Sequence, residues 1–148
     1  MRFTCTIEVN APISKVAQLF DNKNKLKEWQ DGFVSYEPVS GKPGTKGAIA
    51  RVNYKTGKNT FALTETILVK NMPNEITALY EHKHMTNTMS NIFTALNAGK
   101  TRLETEIHYT KFNGFVPRLM ASLMPGMFKK QTQKWLDSFK VFAEKELK

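Results

Sequence analysis

The chain has 148 residues, of which 41% are hydrophobic and 24% are charged, a composition typical of a soluble globular protein. No apolar run approaches the roughly 18 residues of a membrane-spanning helix, so the sequence excludes such a helix. The length predicts one domain that spans residues 1–148 and buries a sizeable core.

Lysine and arginine outnumber aspartate and glutamate by 22 to 13, which gives a net charge of +9. The basic residues are scattered and no nucleic-acid-binding motif accompanies them, so we expect a solvated surface and no specific nucleic-acid site. Contact with an anionic membrane is expected to be peripheral at most. The single cysteine, Cys5, and the lack of a signal-peptide pattern predict a cytoplasmic location; the sequence leaves the oligomeric state open.

The first predicted element is a strand over Arg2–Val9, where apolar and polar residues alternate. It ends just before a proline, which cannot donate to a β-ladder and favours a turn. Apolar residues at helical spacing then predict a short helix over Ile13–Phe20. A second short helix is predicted from Asn22 or Lys23 toward Trp29.

From residue 32 onward the pattern changes to period two, and turn-forming glycine, proline and asparagine residues interrupt it. The intervals between turns have the length of strands, and short turns of this kind join antiparallel neighbours. The predicted strands are Phe33–Val39, Ala48–Lys55, Thr60–Val69, Glu75–Met85, Thr88–Asn97 and Arg102–Lys111.

The last part of the chain, Phe115–Leu147, has apolar residues every three or four positions and predicts a long helix. A straight helix of this length would exceed the span of a small domain, and Pro125 and Gly126 are both unfavourable inside a helix. We therefore predict a bend or a one-turn break between Met124 and Met127. The methionines on the apolar face are flexible enough to fill irregular space or to serve as ordinary core.

Seven strands, two short helices after the first strand and one long C-terminal helix predict an α+β fold. Because a single helix covers it, the antiparallel sheet is expected to curve around that helix. Such a sheet rarely closes completely over a helix, so we also expect a cavity between the two.

Four local sequences add information about the fold. They are Ala11-Pro12, Glu28-Trp29, Gly41 with Gly47, and Gly99-Lys100-Thr101-Arg102-Leu103. Together with the order of elements over the whole chain, they resemble the helix-grip fold of the START-like superfamily, also called SRPBCC. That superfamily includes pollen-allergen-like proteins and polyketide cyclase or dehydrase relatives.

The resemblance implies binding of a hydrophobic molecule, such as a lipid, sterol, polyketide or plant hormone, in the cavity under the C-terminal helix. It implies that the first half of this helix, Leu119–Phe128, forms the roof and that inward residues of the sheet form the floor. No fixed catalytic motif of the superfamily matches this sequence. The expected ligand-binding residues are Phe61, Leu63, Tyr80, Met120, Leu123, Met124, Met127 and Phe128.

Glu65 and His82 are the candidate catalytic residues. Glu65 alternates with the apolar residues of its predicted strand, so an inward face would bury it, raise its pKa and qualify it as an acid or base. The alternatives are a structural ion pair, with Arg51 or Arg102 as the partner, and a strand whose other face is inward. His82 and His84 are expected to share one face of a strand, either toward the cavity or on the solvated convex face.

The three histidines and the single cysteine show no metal-ligand spacing, and the sequence has no phosphate-binding loop or nucleophile elbow. We therefore expect no metal and no cofactor. The first functional hypothesis is a non-catalytic binder or carrier of a small hydrophobic ligand. The second is a cyclase- or dehydratase-type enzyme acting in the same cavity, and the third is a basic adaptor for an anionic membrane or nucleic acid.

Overall fold

The computed structural model describes residues 1–123 and 125–148, with the side chains of residues 120, 121, 123 and 125 excepted. The described residues form seven strands, three α-helices and one 3₁₀ helix. The helices are α1 (Ile13–Phe20), the 3₁₀ helix (Lys23–Glu28), α2 (Phe115–Leu123) and α3 (Pro125–Glu146). The strands are β1 (Arg2–Val9), β2 (Phe33–Ser40), β3 (Ile49–Thr56), β4 (Asn59–Asn71), β5 (Glu75–Glu81), β6 (Met85–Asn97) and β7 (Lys100–Phe112).

All seven strands belong to one antiparallel sheet with the order β1-β7-β6-β5-β4-β3-β2. Strands β2 to β7 therefore pair with their neighbours in sequence, whereas β1 pairs with the last strand. α1 and the 3₁₀ helix carry the chain from one edge of the sheet to the other, and α3 packs against β1. The predicted α+β helix-grip fold is confirmed, with two short helices after β1 and a long helix at the C-terminal end.

Alternation along the strands gives the sheet one buried face. On β7, Leu103, Thr105 and Ile107 are each at most 2% exposed, whereas Glu106 between them is exposed. The buried face lies toward α3, whose inward residue Phe139 has no exposed surface. The core is thus a layer between the sheet and the helices.

An aromatic cluster fixes the helices to the sheet at one end of this layer. Phe20 of α1 stacks on Trp29 at a ring-centroid distance of 5.2 Å, and Phe139 packs edge-to-face on both rings, at 5.2 Å and 5.1 Å. Phe93 of β6 adds an edge-to-face contact with Phe20 at 5.5 Å. Because four separate elements meet in this cluster, it determines where α3 crosses the sheet.

The described residues of the C-terminal segment form α2 and α3, which lie on either side of residue 124. Residues 125–127 are helical, so the predicted break does not lie among them; Met124, where the predicted bend or break would begin, lies outside the described residues. Pro125 is the first described residue of α3. Among the described residues, no helix combines the length and the apolar character needed to cross a bilayer.

One predicted strand is too long. The sequence predicts a strand to Met85, but β5 ends at Glu81 and residues 82–84 form the connection to β6. His82 and His84 therefore lie in a turn and do not share a strand face. The ends of the other strands match the predicted ends to within three residues.

A β-bulge in β4 changes which side chains face inward. The pairing of β4 with β5 shifts by one residue between Ile67 and Val69. Ile67 is buried, but Val69 is 37% exposed although the sequence pattern places both on one face. The next residue, Lys70, consequently reaches Asp21 at the end of α1 and forms an ion pair with it.

Candidate functional site

A cavity of about 210 Å³ lies between the sheet and α3. This volume is well above the roughly 10–15 Å³ that a single water molecule requires. The side chains around it come from five strands and from α3, and most of them are apolar or aromatic, as is usual for sites that hold small organic molecules. They include Tyr54, Phe61, Leu63, Met89, Ile107, Tyr109, Phe128, Thr132 and Trp135.

A second cavity, of about 60 Å³, adjoins the first and shares Tyr54, Tyr80 and Trp135 as wall residues. Its wall is more polar, because it also contains Glu65 and Asn91. The two cavities together therefore form a site with a larger apolar part and a smaller polar part.

Glu65 is the buried carboxylate of the polar part, with only 3% of its surface exposed. The hydroxyl of Tyr36 donates a hydrogen bond to Oε1 at 2.5 Å, and the hydroxyl of Tyr80 donates one to Oε2 at 2.7 Å. Each carboxylate oxygen thus has a neutral donor, which offsets part of the cost of removing a charge from water. The inward orientation of Glu65 agrees with the sequence pattern.

The alternative of an ion pair between Glu65 and Arg51 or Arg102 is not found among the described residues. The Arg51 guanidinium hydrogen-bonds Asn53 on an exposed surface, and Arg102 forms a salt bridge with Glu8. No salt bridge found among the described residues involves Glu65. The hydroxyls of Tyr36 and Tyr80 occupy the position that this alternative gave to an arginine.

Burial raises the pKa of the tyrosines around the site. For Tyr36, Tyr54 and Tyr80, burial is the largest cause and the negative charge of Glu65 adds to it. For Tyr109, burial alone raises the pKa to about 12. These four residues are all of the tyrosines in the chain, so none of them is expected to ionise in the usual range while the protein stays folded.

We expect the stability of the protein to fall as the pH rises above about 10, the pKa of tyrosine in an unfolded chain. Below that pH both states keep their phenolic protons and the stabilisation is complete. Above it the unfolded state loses protons that the folded state retains, so the equilibrium moves toward unfolding. Tyrosinate absorbance and circular dichroism, recorded in one alkaline titration, should change together; independent ionisation of a tyrosine before unfolding would contradict this prediction.

His82 lies at the rim of the larger cavity, half-buried and in the turn between β5 and β6. Its ring packs edge-to-face on Phe61 at 6.0 Å, and Nδ1 accepts a hydrogen bond from the backbone N–H of His84 at 3.2 Å. Burial, followed by the nearby His84 and Lys83, lowers the pKa of His82. The neutral imidazole therefore faces the apolar part of the site, while Glu65 lines the polar part.

Four of the predicted ligand-binding residues lie in the wall of the larger cavity: Phe61, Leu63, Tyr80 and Phe128. Met127 lies in neither cavity wall; its side chain is 39% exposed near the start of α3. The other three predicted residues lie outside the described part of the chain, either entirely or in their side chains. They are Met120, Leu123 and Met124.

Several wall residues were missed by the sequence analysis. Ile107 and Tyr109 alternate with polar neighbours on β7, so the period-two pattern of that strand was a usable signal for them. Trp135 stacks on Tyr54 at 5.5 Å and lines both cavities. Helical spacing places Trp135 on the apolar face of α3 but contains no signal that distinguishes a cavity wall from a packed core.

Comparisons with known proteins agree with this architecture. Zhui aromatase/cyclase from Streptomyces sp. R1128 matches with a TM-score of 0.82 and 12% sequence identity, over 100% of this chain and 96% of that chain. A START superfamily protein from Mycobacterium smegmatis matches with a TM-score of 0.74 and 12% identity, over 99% and 96% of the two chains. Ara h 8.0201 matches with a TM-score of 0.71 and 14% identity, over 97% of each chain.

No protein-family model and no curated protein matches the sequence. The structural matches cover nearly the whole chain, and they confirm that it has the helix-grip fold found in START-like (SRPBCC) proteins. At such low identity the likeness concerns the fold, and the function has to be argued from the site itself.

Proposed function

We propose that this protein binds a small, mostly apolar molecule in the cavity between the sheet and α3, and that it acts as a binder or carrier of that molecule. The observation that carries the proposal is the cavity of about 210 Å³ with its largely apolar and aromatic wall. The adjoining polar part at Glu65 favours a guest that also has a hydrogen-bonding group. The helix-grip neighbours add support at the level of fold.

The expected affinity follows from the area that a guest would bury. Removal of apolar surface from water contributes roughly 25 cal/mol per Å², so a guest that buries about 200 Å² gains on the order of 5 kcal/mol before ordering costs. With the contribution of one or two hydrogen bonds, a good fit reaches about micromolar affinity. We place this binding in the cytoplasm, since the buried Cys5 is a free thiol that suits a reducing compartment.

Replacing Leu63 with tryptophan is expected to fill part of the cavity and to weaken binding of a hydrophobic fluorescent dye, 1-anilinonaphthalene-8-sulfonate, about tenfold or more. Leu63 is half-buried and lies in the cavity wall on β4. The matched control is Leu68→Trp on the same strand, which is 37% exposed and lines neither cavity. Fluorescence titration of the folded protein measures both variants.

Saturable dye binding that Leu68→Trp leaves unchanged and Leu63→Trp weakens supports the proposal. Displacement of the dye by fatty acids or polycyclic compounds would then narrow the class of guest. A folded wild-type protein that takes up no dye, or a dye that binds both variants with equal affinity, would contradict binding in this cavity.

The second candidate function is a cyclase- or dehydratase-type reaction on a hydrophobic substrate in the same cavity. The observation that favours it is the buried carboxylate of Glu65, positioned between two tyrosine hydroxyls in the wall of the polar part. There Glu65 could exchange a proton with a bound substrate, and His82 at the rim could assist as a neutral base. Turnover of a poly-β-ketone thioester that disappears in Glu65→Gln, with dye binding retained, would establish this alternative.

A further inference from the structure

Helix α2 presents apolar side chains to solvent. Phe115 is 77% exposed, Val116 is 63% exposed and Leu119 is 42% exposed, and the nearby Met127 of α3 is 39% exposed. We call these four residues the α2 patch. Scattered exposed apolar residues are ordinary on a protein surface, but a group of large ones on one short helix and the following turn indicates an interaction surface.

The surroundings of α2 explain why its apolar residues remain uncovered. Of the elements in the described part of the chain, α3 is the one that α2 contacts appreciably. Gly114, with a φ of +96°, lies between β7 and α2, and Arg118 Nε donates a hydrogen bond to the Phe112 carbonyl at 3.1 Å. Phe115, Val116 and Leu119 of α2 are thus left exposed.

The segment of the sequence that contains the patch carries charge of one sign. The 30 residues from Ile107 to Leu136 contain five lysines and arginines and no aspartate or glutamate, so they account for five of the nine net positive charges. All five basic residues are exposed: Lys111, Arg118, Lys129, Lys130 and Lys134. Five exposed basic residues therefore lie in the same segment of the sequence as the α2 patch.

We propose that the α2 patch docks this protein onto an anionic lipid bilayer. The apolar side chains enter the boundary between headgroups and acyl chains, and the five basic residues contact the negatively charged headgroups. The combination of apolar and basic side chains favours a bilayer over the other partners. A second copy of the chain would bring five more positive charges against the same surface, and nucleic acid offers phosphates but no apolar phase for Phe115, Val116 and Leu119.

The apolar part of the proposal is tested with Phe115→Gln/Leu119→Gln, because glutamine maintains helix formation without adding charge. Binding to vesicles of equal parts phosphatidylcholine and phosphatidylserine, measured by cosedimentation, is expected to weaken about tenfold or more. The matched control is Val39→Gln/Val141→Gln, which removes apolar side chains that are 65% and 71% exposed elsewhere. That control is expected to bind the vesicles as the wild type does.

The electrostatic part is tested with Lys129→Glu/Lys130→Glu, which reverses two charges beside the patch. Lys42→Glu/Lys46→Glu makes the same change in net charge in the exposed loop between β2 and β3. We expect the first pair to weaken binding to the anionic vesicles strongly and the second pair to have a much smaller effect. Pure phosphatidylcholine vesicles should bind the wild type weakly.

Three results would overturn the proposal. The first is a wild-type protein that does not bind the anionic vesicles. The second is a pair of observations: the two charge-reversal variants weaken vesicle binding equally, and the Phe115→Gln/Leu119→Gln variant still binds. Together these would mean that net charge alone attracts the protein to the vesicles. The third is a wild-type dimer in light scattering that this variant converts to a monomer, which would assign the patch to a second copy. Circular dichroism of every variant checks that the fold is intact.

Discussion

Replacing Phe139 with alanine is expected to lower the free energy of unfolding by about 3–5 kcal/mol, the usual range for truncation of a buried phenylalanine. The side chain has no exposed surface, and its ring contacts Phe20 and Trp29 edge-to-face. Its loss removes the contacts that join α3 to the short helices and leaves a void that rigid aromatic neighbours cannot fill. Urea denaturation followed by circular dichroism measures the change.

The matched control for Phe139→Ala is Val141→Ala on the same helix. Val141 is 71% exposed, so its truncation should change the free energy of unfolding by no more than about 0.5 kcal/mol. A similar small loss for Phe139→Ala would show that the aromatic cluster does not hold α3 on the sheet.

Replacing Glu65 with alanine is expected to lower the free energy of unfolding by about 2–5 kcal/mol. The change leaves the hydroxyls of Tyr36 and Tyr80 without their acceptor, and an unsatisfied buried polar group costs roughly 1–3 kcal/mol. Glu65→Gln retains an acceptor oxygen and should be less destabilising. Denaturant titrations of the two variants at neutral pH give the comparison.

The triple variant Tyr36→Phe/Tyr80→Phe/Glu65→Ala separates the contribution of the two hydrogen bonds from the other causes of the change in stability. In Tyr36→Phe/Tyr80→Phe the hydroxyls are absent, so the further change Glu65→Ala no longer leaves an unsatisfied donor. In that background it should destabilise the protein much less, or even stabilise it, because it removes a buried charge. Should Glu65→Ala stabilise the wild-type background as well, Glu65 would be a residue retained for ligand binding or chemistry at the expense of stability.

The order of elements was predictable because most boundaries have local chemical signals. β1 and α1 have the predicted ends, and a proline between them marks the boundary. The turn at His82–His84 was missed because it contains none of the glycine, proline, asparagine or aspartate residues that mark turns. The sequence His-Lys-His continues the alternation, so the pattern extends the strand through a turn that tertiary pairing defines.

For the polar part of the candidate site, the sequence predicted the orientation of Glu65 but not its hydrogen-bond partners. Alternation along β4 places Glu65 inward, but its partners depend on the pairing between strands. Counting outward from the turn between β4 and β5, where Asn71 pairs with Glu75, places Glu81 opposite Glu65. The bulge shifts the register by one residue and brings Tyr80 there instead. The bulge has no sequence signature at this position. The tyrosines that donate hydrogen bonds to Glu65 could therefore not be predicted from the sequence.

Roof residues were the least predictable part. Helical spacing places Met127 and Phe128 close together, but only Phe128 lines the cavity. The difference arises because consecutive residues of a helix point about 100° apart, so one of them faces the sheet and the other faces solvent. The rotation of α3 about its own axis sets this direction, and the helical period alone does not fix that rotation.

The position of β1 at the edge beside β7 has a consequence for the order in which the protein is made and folded. Of the seven strands, the first to be synthesised hydrogen-bonds to the last one, with Val9 opposite Thr101 and Arg2 opposite His108. Strands β2 to β6 can form successive hairpins as they emerge, whereas β1 stays without its partner until the other six strands have been synthesised. Sheet completion is thus a late, long-range event that requires closure of a loop of about a hundred residues, the kind of step that makes folding slow.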